Sequence, residues 1–215
     1  MLKVWGRRSS FNQQKVMWLV GELQLPHEHI QAGGSFGRLD DPTFLAMTPH
    51  GRVPVIDDDG TIVWESHTIL RYLRGQVRPG WVLVRRPGRA FRVRTLDGLV
   101  TNNPSAGLPD GRILGLQPNP RAATELAAIQ AKVAACARHF RLLDRIIGDR
   151  RYLCGDSLAL ADIPVGTSLY RYFEIEIERP SVPNVERWYR RLQEHPAYQE
   201  HVMVPFSELF GRLDY

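Results

Sequence analysis

A mixed α/β sheet domain followed by an all-helical domain is the architecture this sequence predicts. Two short β-rich runs, residues 53–56 and 61–64, flank the acidic turn Asp57-Asp58-Asp59-Gly60, the mark of a hairpin. Ahead of them lie an apolar run at Leu2–Trp5 and a helix-spaced one beginning at Asn12. Beyond Pro120, apolar residues recur at three- and four-residue steps: Leu126, Ile129, Val133, Cys136, Phe140 and Leu143.

The elements follow in order. The run from Leu2 to Trp5 reads as a strand and lacks the long apolar stretch of a signal peptide. Arg7-Arg8-Ser9-Ser10 is a polar loop. The helix from Asn12 places Val16, Val20 and Leu23 on one face, with Gly21 inside it and Pro26 beyond its end. Residues 28–31 suit a second strand and residues 33–37 a flexible turn. Asp40 or Asp41 can cap a short helix that starts at Pro42. After the hairpin, Glu65-Ser66 opens a helix whose apolar face is Ile69, Leu70 and Leu73. The order βαβ, then α, then ββα, predicts a mixed sheet with helices on its faces. In the second half a helix runs from about Leu160 to Phe173. Another runs from about Pro183 to Glu194, burying Val185, Trp188 and Leu192, and Pro196 ends it.

Composition bounds the function. At 215 residues the chain can form one large domain or two small ones. Its 43% hydrophobic and 24% charged content reads as soluble and globular. No apolar run approaches the roughly 18–20 residues of a membrane span, so no membrane partner is expected. Cys136 and Cys154 form neither a CxxC pair nor a metal spacing, and read as reduced, partly buried thiols of a cytosolic protein. The net charge of +5 is concentrated: residues 74–120 hold eight arginines against Asp97 and Asp110. A basic chain invites a nucleic-acid reading. Only Trp81 and Phe91 in residues 74–94 could stack on bases, and no nucleic-acid partner is expected.

The string Arg52-Val53-Pro54-Val55-Ile56, then Trp64-Glu65-Ser66 and an apolar helix, resembles the glutathione site of cytosolic glutathione transferases, of the bacterial, serine-type, theta-like kind. So do Ser10 ahead of Asn12 and Lys15-Val16, and Gly155-Asp156 ahead of Leu160-Ala161-Asp162-Ile163. The likeness covers residues 1–73 and about 121–215. It implies a thioredoxin-like glutathione-binding domain over residues 1–76 and a helical domain over 77–215. It also implies a cis Val53–Pro54 peptide, glutathione as co-substrate, an electrophilic small molecule as second substrate, a homodimer, no metal, and a cytoplasmic protein of detoxification.

The resemblance places Arg52, Val53, Pro54, Glu65 and Ser66 against glutathione. The Val53 backbone would pair with the cysteinyl backbone as an added strand does. Ser66 and the N–H groups at its helix start would hold the γ-glutamyl carboxylate, and Glu65 would pair with the γ-glutamyl ammonium. Capping alone is the plainer role for Glu65 and Ser66. A thiol titrating near ~8.5 needs a donor aimed at its sulfur to become a thiolate at pH 7. Register with Lys15-Val16 selects Ser10 over Ser9 for that role, and a simple cap on the first helix is its alternative. Residues 1–71 contain no tyrosine and no cysteine, which excludes a tyrosine-type enzyme and argues against a cysteine-type one. Where the family carries Ser or Thr three residues before Asp162, this chain has Ala159, a loss worth ~0.5–2 kcal/mol at an N-cap.

Residues 75–120 depart from the family. A long fourth helix belongs there, yet the segment carries Pro79, Pro87, Pro104, Pro109, Pro118 and Pro120 among many glycines and arginines. Written in permitted codons and read one base later, residues 95–116 become RWMDWSQTTLQPAFLTGVFWG, poor in helix breakers and similar to that fourth helix. A frame change near residues 74–91, compensated near 117–122, accounts for the segment. As written, the segment is expected to lack a long regular helix and to damage the electrophile pocket and dimer face.

Two other functions suit the same architecture. A glutathione-dependent isomerase of the maleylacetoacetate type shares the Ser-Ser pair but has cysteine where this chain has Phe11. A non-catalytic binding protein on the same fold is the other.

Overall fold

The computed structural model describes residues 1–76 and 120–207. The described residues fall into two units, 1–76 with 193–204, and 120–192 with 205–207. The first contains β1 (Leu2–Trp5), α1 (Phe11–Glu22), β2 (His27–Ile30), α2 (Pro42–Met47), β3 (Val55–Asp58), β4 (Thr61–Trp64) and α3 (Ser66–Gln76). The second contains α4 (Pro120–Ile147), α5 (Asp162–Glu174) and α6 (Pro183–Leu192). The chain then returns to the first unit with α7 (Pro196–His201). The division expected at residues 76 and 77 lies at the edge of the described residues. The atypical segment 75–120, with its suspected change of frame, lies outside them except at its two ends.

The sheet of the first unit has the order β2-β1-β3-β4. β1 and β2 run parallel, and β3 is antiparallel to both β1 and β4. Alternation along each strand sends side chains to opposite faces. Val4 and its cross-strand partner Ile56 are fully buried. Trp5 and Val55 join Ala32, Phe44, Leu39 and Met47 in a separate cluster under α2. Strand β3 starts at Val55, two residues later than the sequence suggests, because Pro54 has no N–H to give the ladder. The hairpin turn is shorter than expected, since Asp57 and Asp58 extend β3. Asp59 and Gly60 have φ of 48° and 94°, the left-handed pair that a tight hairpin requires.

Helix α1 is buried without a break from Gln13 to Val20, more than the one stripe its periodicity suggests. The cause is that α1 packs against both α3 and α7. Pro196 lies in the first turn of α7 and so begins a helix as well as following one. Gly21 makes room for it: a Cβ there would sit 2.8 Å from the Ala197 Cβ. Trp18 stands edge-on to Tyr198 at 4.7 Å and donates its indole N–H to Glu22 at 2.9 Å, while Glu22 also lies 3.0 Å from His195 Nδ1. Asp41 occupies the N-cap of α2, but its side chain makes no cap hydrogen bond. In α3 the expected face, Ile69, Leu70 and Leu73, is buried.

In the second unit the expected face of α4 is buried at Cys136, Phe140 and Leu143, while Leu126 and Ile129 lie among side chains outside the description. Phe140 stacks on Tyr172 of α5 at 3.5 Å between ring centroids. Asp144 accepts the backbone N–H groups of Asn184 and Val185 at 2.7 and 3.0 Å, capping α6 from another helix. Neither cysteine is in a disulfide. Burial pushes the Cys136 thiol up to about 11, which makes it a packing group and not a nucleophile. Among the described residues no helix is long and apolar enough to cross a membrane.

Asp162 is fully buried and accepts the N–H groups of Leu153 at 2.9 Å and Ala159 at 2.8 Å. The hydroxyl missing at Ala159 leaves no orphan donor, because the Asp162 N–H already bonds the Ala159 carbonyl at 2.9 Å. The cost expected for that loss is therefore largely avoided by a backbone turn. Burial pushes the Asp162 carboxyl from 3.8 up to about 7, with the Leu153 and Ala159 N–H groups pulling the other way. As pH rises the unfolded chain ionises first, so Asp162 costs stability progressively between about pH 4 and pH 7. Urea unfolding at several pH values checks this. The stability of the wild type relative to Asp162→Asn should fall across that window, and a difference independent of pH would contradict it.

Candidate functional site

Three chain segments leave the sheet at one end. Trp5 pairs with Val55, and Val55 pairs with Trp64. Because β3 runs antiparallel to both neighbours, the residues after Trp5, before Val55 and after Trp64 emerge side by side. These are the loop 6–10, the stretch 52–54 and the pair Glu65-Ser66.

Ser10 occupies the N-cap of α1 in extended conformation, φ −71° and ψ 121°. Its carbonyl accepts the Gln14 N–H at 2.9 Å, but its half-buried hydroxyl makes no cap hydrogen bond. The hydroxyl is thus not committed to the helix. Ser9 is buried. Arg7 lies over the turn at Gly33 and Gly34, and the exposed Arg8 donates to the Glu200 carbonyl at 3.1 Å.

The second segment holds its backbone groups open. The Val53–Pro54 peptide is cis. Among the described residues neither the N–H nor the C=O of Val53 has a hydrogen-bond partner, although the residue lies at the end of a sheet. Arg52 is exposed and Pro54 buried. Gly51 sets the approach: its φ is 57°, and a Cβ would stand 3.0 Å from the Leu39 carbonyl oxygen.

Glu65 carries the clearest sign of constraint. Its φ is 69°, in the left-handed region that a long side chain rarely adopts. Its carbonyl accepts the Ile69 N–H at 2.9 Å, which makes it the cap position of α3, while its exposed carboxylate has no partner among the described residues. Ser66, the first residue of α3, is 3% exposed. Its hydroxyl reaches Asn12 Oδ1 at 3.4 Å, a long contact. Lys15 reaches the same oxygen at 2.9 Å and lies over the Phe11 ring at 4.5 Å. Lysine has only donors, so the Asn12 amide must face it with oxygen. Asn12 and Lys15 therefore tie the start of α1 to the start of α3. Sequence reasoning used the two residues only as register marks; their spacing of three on one helix was the available signal.

An αL residue other than glycine costs roughly 1–2 kcal/mol. Glu65→Gly should therefore stabilise the protein by about 1 kcal/mol. Thermal melts check this, and a clear loss of stability would contradict it.

Comparison with known proteins gives a consistent result. Residues 5–80 match the family of glutathione S-transferase N-terminal domains, and residues 127–191 that of the C-terminal domains. The chain is 36% identical over 210 residues to glutathione S-transferase GstB of Escherichia coli, covering 96% of this chain and all of that one. It is similar to the crystal structure of a theta class glutathione S-transferase from Xanthomonas axonopodis pv. citri with glutathione bound. The TM-score is 0.82 at 32% identity, over 96% of this chain and 99% of that one. A delta-class glutathione transferase of Nilaparvata lugens shares the fold, with a TM-score of 0.81 at 18% identity and 98% of each chain covered.

Proposed function

This chain belongs to the glutathione S-transferase family, and from that premise we propose that it joins the glutathione thiolate to an electrophilic small molecule at the sheet end described above. The observation that carries the assignment of residues is the convergence of Ser10, Arg52 to Pro54, and Glu65-Ser66 on that end through the pairing of Trp5, Val55 and Trp64.

Each group meets one part of the tripeptide. The open Val53 N–H donates to the cysteinyl backbone and its C=O accepts from it, as a fifth strand would. Ser66 and the N–H groups at the start of α3 hold the γ-glutamyl carboxylate, helped by the positive end of the helix dipole. The unpartnered Glu65 carboxylate takes the γ-glutamyl ammonium. Arg52, exposed beside Val53, offers its guanidinium to the remaining carboxylate. The Ser10 hydroxyl, free of capping duty, donates to the glutathione sulfur and favours its thiolate. The thiolate then attacks an electrophilic carbon; a C–S bond forms, and the displaced electron pair leaves with the departing group or stays on the acceptor. Asn12 and Lys15 act as positioning residues that hold Ser66 in place.

The family likeness supports a homodimer in the cytoplasm acting on reactive, toxic electrophiles, with no metal in the chemistry. An isomerase or a non-catalytic binder has no observation here that favours it. Retention on a glutathione column followed by loss of turnover in Ser10→Ala separates catalysis from binding alone.

Glu65→Ala and Ser66→Ala should each weaken glutathione binding by roughly 1–3 kcal/mol, the value of a lost charged hydrogen bond. Titration calorimetry decides, and unchanged affinity in both variants would refute the assignment. Ser10→Ala should raise the pKa of the bound thiol and lower turnover at neutral pH, whereas Ser9→Ala should do so less. Thiolate absorbance across pH reads the shift directly, and a larger effect in Ser9→Ala would move the role to that residue.

A further inference from the structure

A second recess, of about 160 Å³, opens in the first unit between α1, β2, α7 and the loop after β1. Arg8, Gln13, His27, His29, Glu200 and His201 line it, and none of the proposed glutathione contacts does. A water occupies about 30 Å³ in the liquid, so the recess has room for a small molecule.

Gln13 is fully buried, and among the described residues neither its Nε2 nor its Oε1 has a hydrogen-bond partner. Buried amides are almost always satisfied, so this one points to an occupant. The imidazoles point the same way. His27 places Nδ1 2.9 Å from the Leu25 carbonyl, and His29 places Nε2 2.7 Å from the Gly6 carbonyl. A carbonyl can only accept, so those nitrogens carry the protons and the tautomers are fixed. The other nitrogen of each ring becomes a donor only when the ring takes up a second proton. His201 completes the group, with Nε2 3.9 Å from the Glu200 carboxylate.

The charges facing one another are Arg8 from the loop, His27 and His29 from β2, and Glu200 and His201 from α7; the α1 wall contributes amides and a thioether. Arg8 is permanently cationic. Glu200 is the one anion of the group, and its side chain is 69% exposed. Burial holds both His29 and His201 below the ordinary histidine range; the Gly6 carbonyl pulls His29 and the Glu200 carboxylate pulls His201 the other way, while Arg8 and the neighbouring imidazoles add to the lowering. Among the described residues no three His, Cys, Asp or Glu converge as metal ligands, and Arg8 would repel a cation. Arg8 and the Gln13 amide NH2 are donors at every pH, and protonation makes His29 and His201 donors as well, so an anion that accepts several hydrogen bonds suits the recess.

We propose that this recess is a binding site for a small oxyanion of the phosphate or carboxylate type, held by Arg8, the Gln13 amide, His29 and His201. Binding draws protons onto the two imidazoles, and protonated imidazoles strengthen binding, so affinity rises as pH falls. The site is independent of the glutathione reading.

The test uses the full chain without glutathione, with inorganic phosphate and acetate as separate probes. Histidine ring resonances are followed by NMR across pH, and phosphate affinity is measured by calorimetry. Phosphate should move the titration midpoints of His29 and His201 upward and leave that of the exposed His50 in place. Its affinity should be about tenfold or more greater near pH 5.5 than near pH 8. Arg8→Gln and Gln13→Leu should each weaken binding near pH 5.5 by about fivefold or more. Because Gln13 is buried, circular dichroism establishes that its variant folds, and the wild-type ring shifts need no variant at all. Acetate reproducing the shifts assigns carboxylates to the site, and a response to phosphate alone assigns phosphates. Unmoved rings, affinity independent of pH, or affinity unchanged in both variants would overturn the proposal.

Discussion

The pairing of Trp5 with Val55 and of Val55 with Trp64 is the constraint on which the first unit depends. It aligns three strand ends, and whatever follows or precedes those residues in the chain must share one edge of space. Side chains alternate with a period of two, so a slip of one residue would turn Val4 and Ile56, buried on one face, and Trp5 and Val55, packed under α2 on the other, each toward the opposite face. The hydrophobic pattern thus locks the register, and the register in turn locks the site. The geometry of the proposed site is thus a consequence of strand pairing and not of loop conformation alone.

The site also carries local costs that the rest of the unit supports. Glu65 is held left-handed, and Val53 leaves a donor and an acceptor open. Such features persist where surrounding structure over-determines them. Here Ile69, Leu70 and Leu73 anchor α3 just beyond Glu65, and Phe44 and Ala32 pack with Val55 just beyond Pro54. Lys15 adds a polar tie through Asn12 to Ser66. Open groups and strain fall on the segments proposed to bind glutathione, whereas packing falls immediately behind them.

Much of this was legible in the sequence, for reasons that can be named. Asp59-Gly60 marked the hairpin because only a few residues accept its φ values, and Glu65-Ser66 marked a helix start because of the apolar spacing that follows. Register with Lys15-Val16 singled out Ser10 over Ser9 for the thiol, and Ser10 is the residue found at the N-cap of α1. Other features depended on contacts distant in the chain. Helix α7 is six residues long, too short for periodicity to announce, and Gly21 gave its purpose only once Ala197 lay against it. The backbone turn that replaces the hydroxyl at Ala159 is invisible to side-chain pattern. The histidine-lined recess joins residues 8 to 29 with residues 200 and 201, a juxtaposition that no local motif encodes.

The central claim is that three sequence-distant segments form one glutathione site because β1, β3 and β4 end in register. Amide correlation spectra recorded during a glutathione titration test it most directly. The account predicts the largest shifts at Val53, at Ser66, and in the loop ending at Ser10, all following one binding curve, with the Val53 N–H moving as a newly formed hydrogen bond requires. Shifts confined to one segment, or a Val53 amide that stays unchanged at saturation, would contradict it.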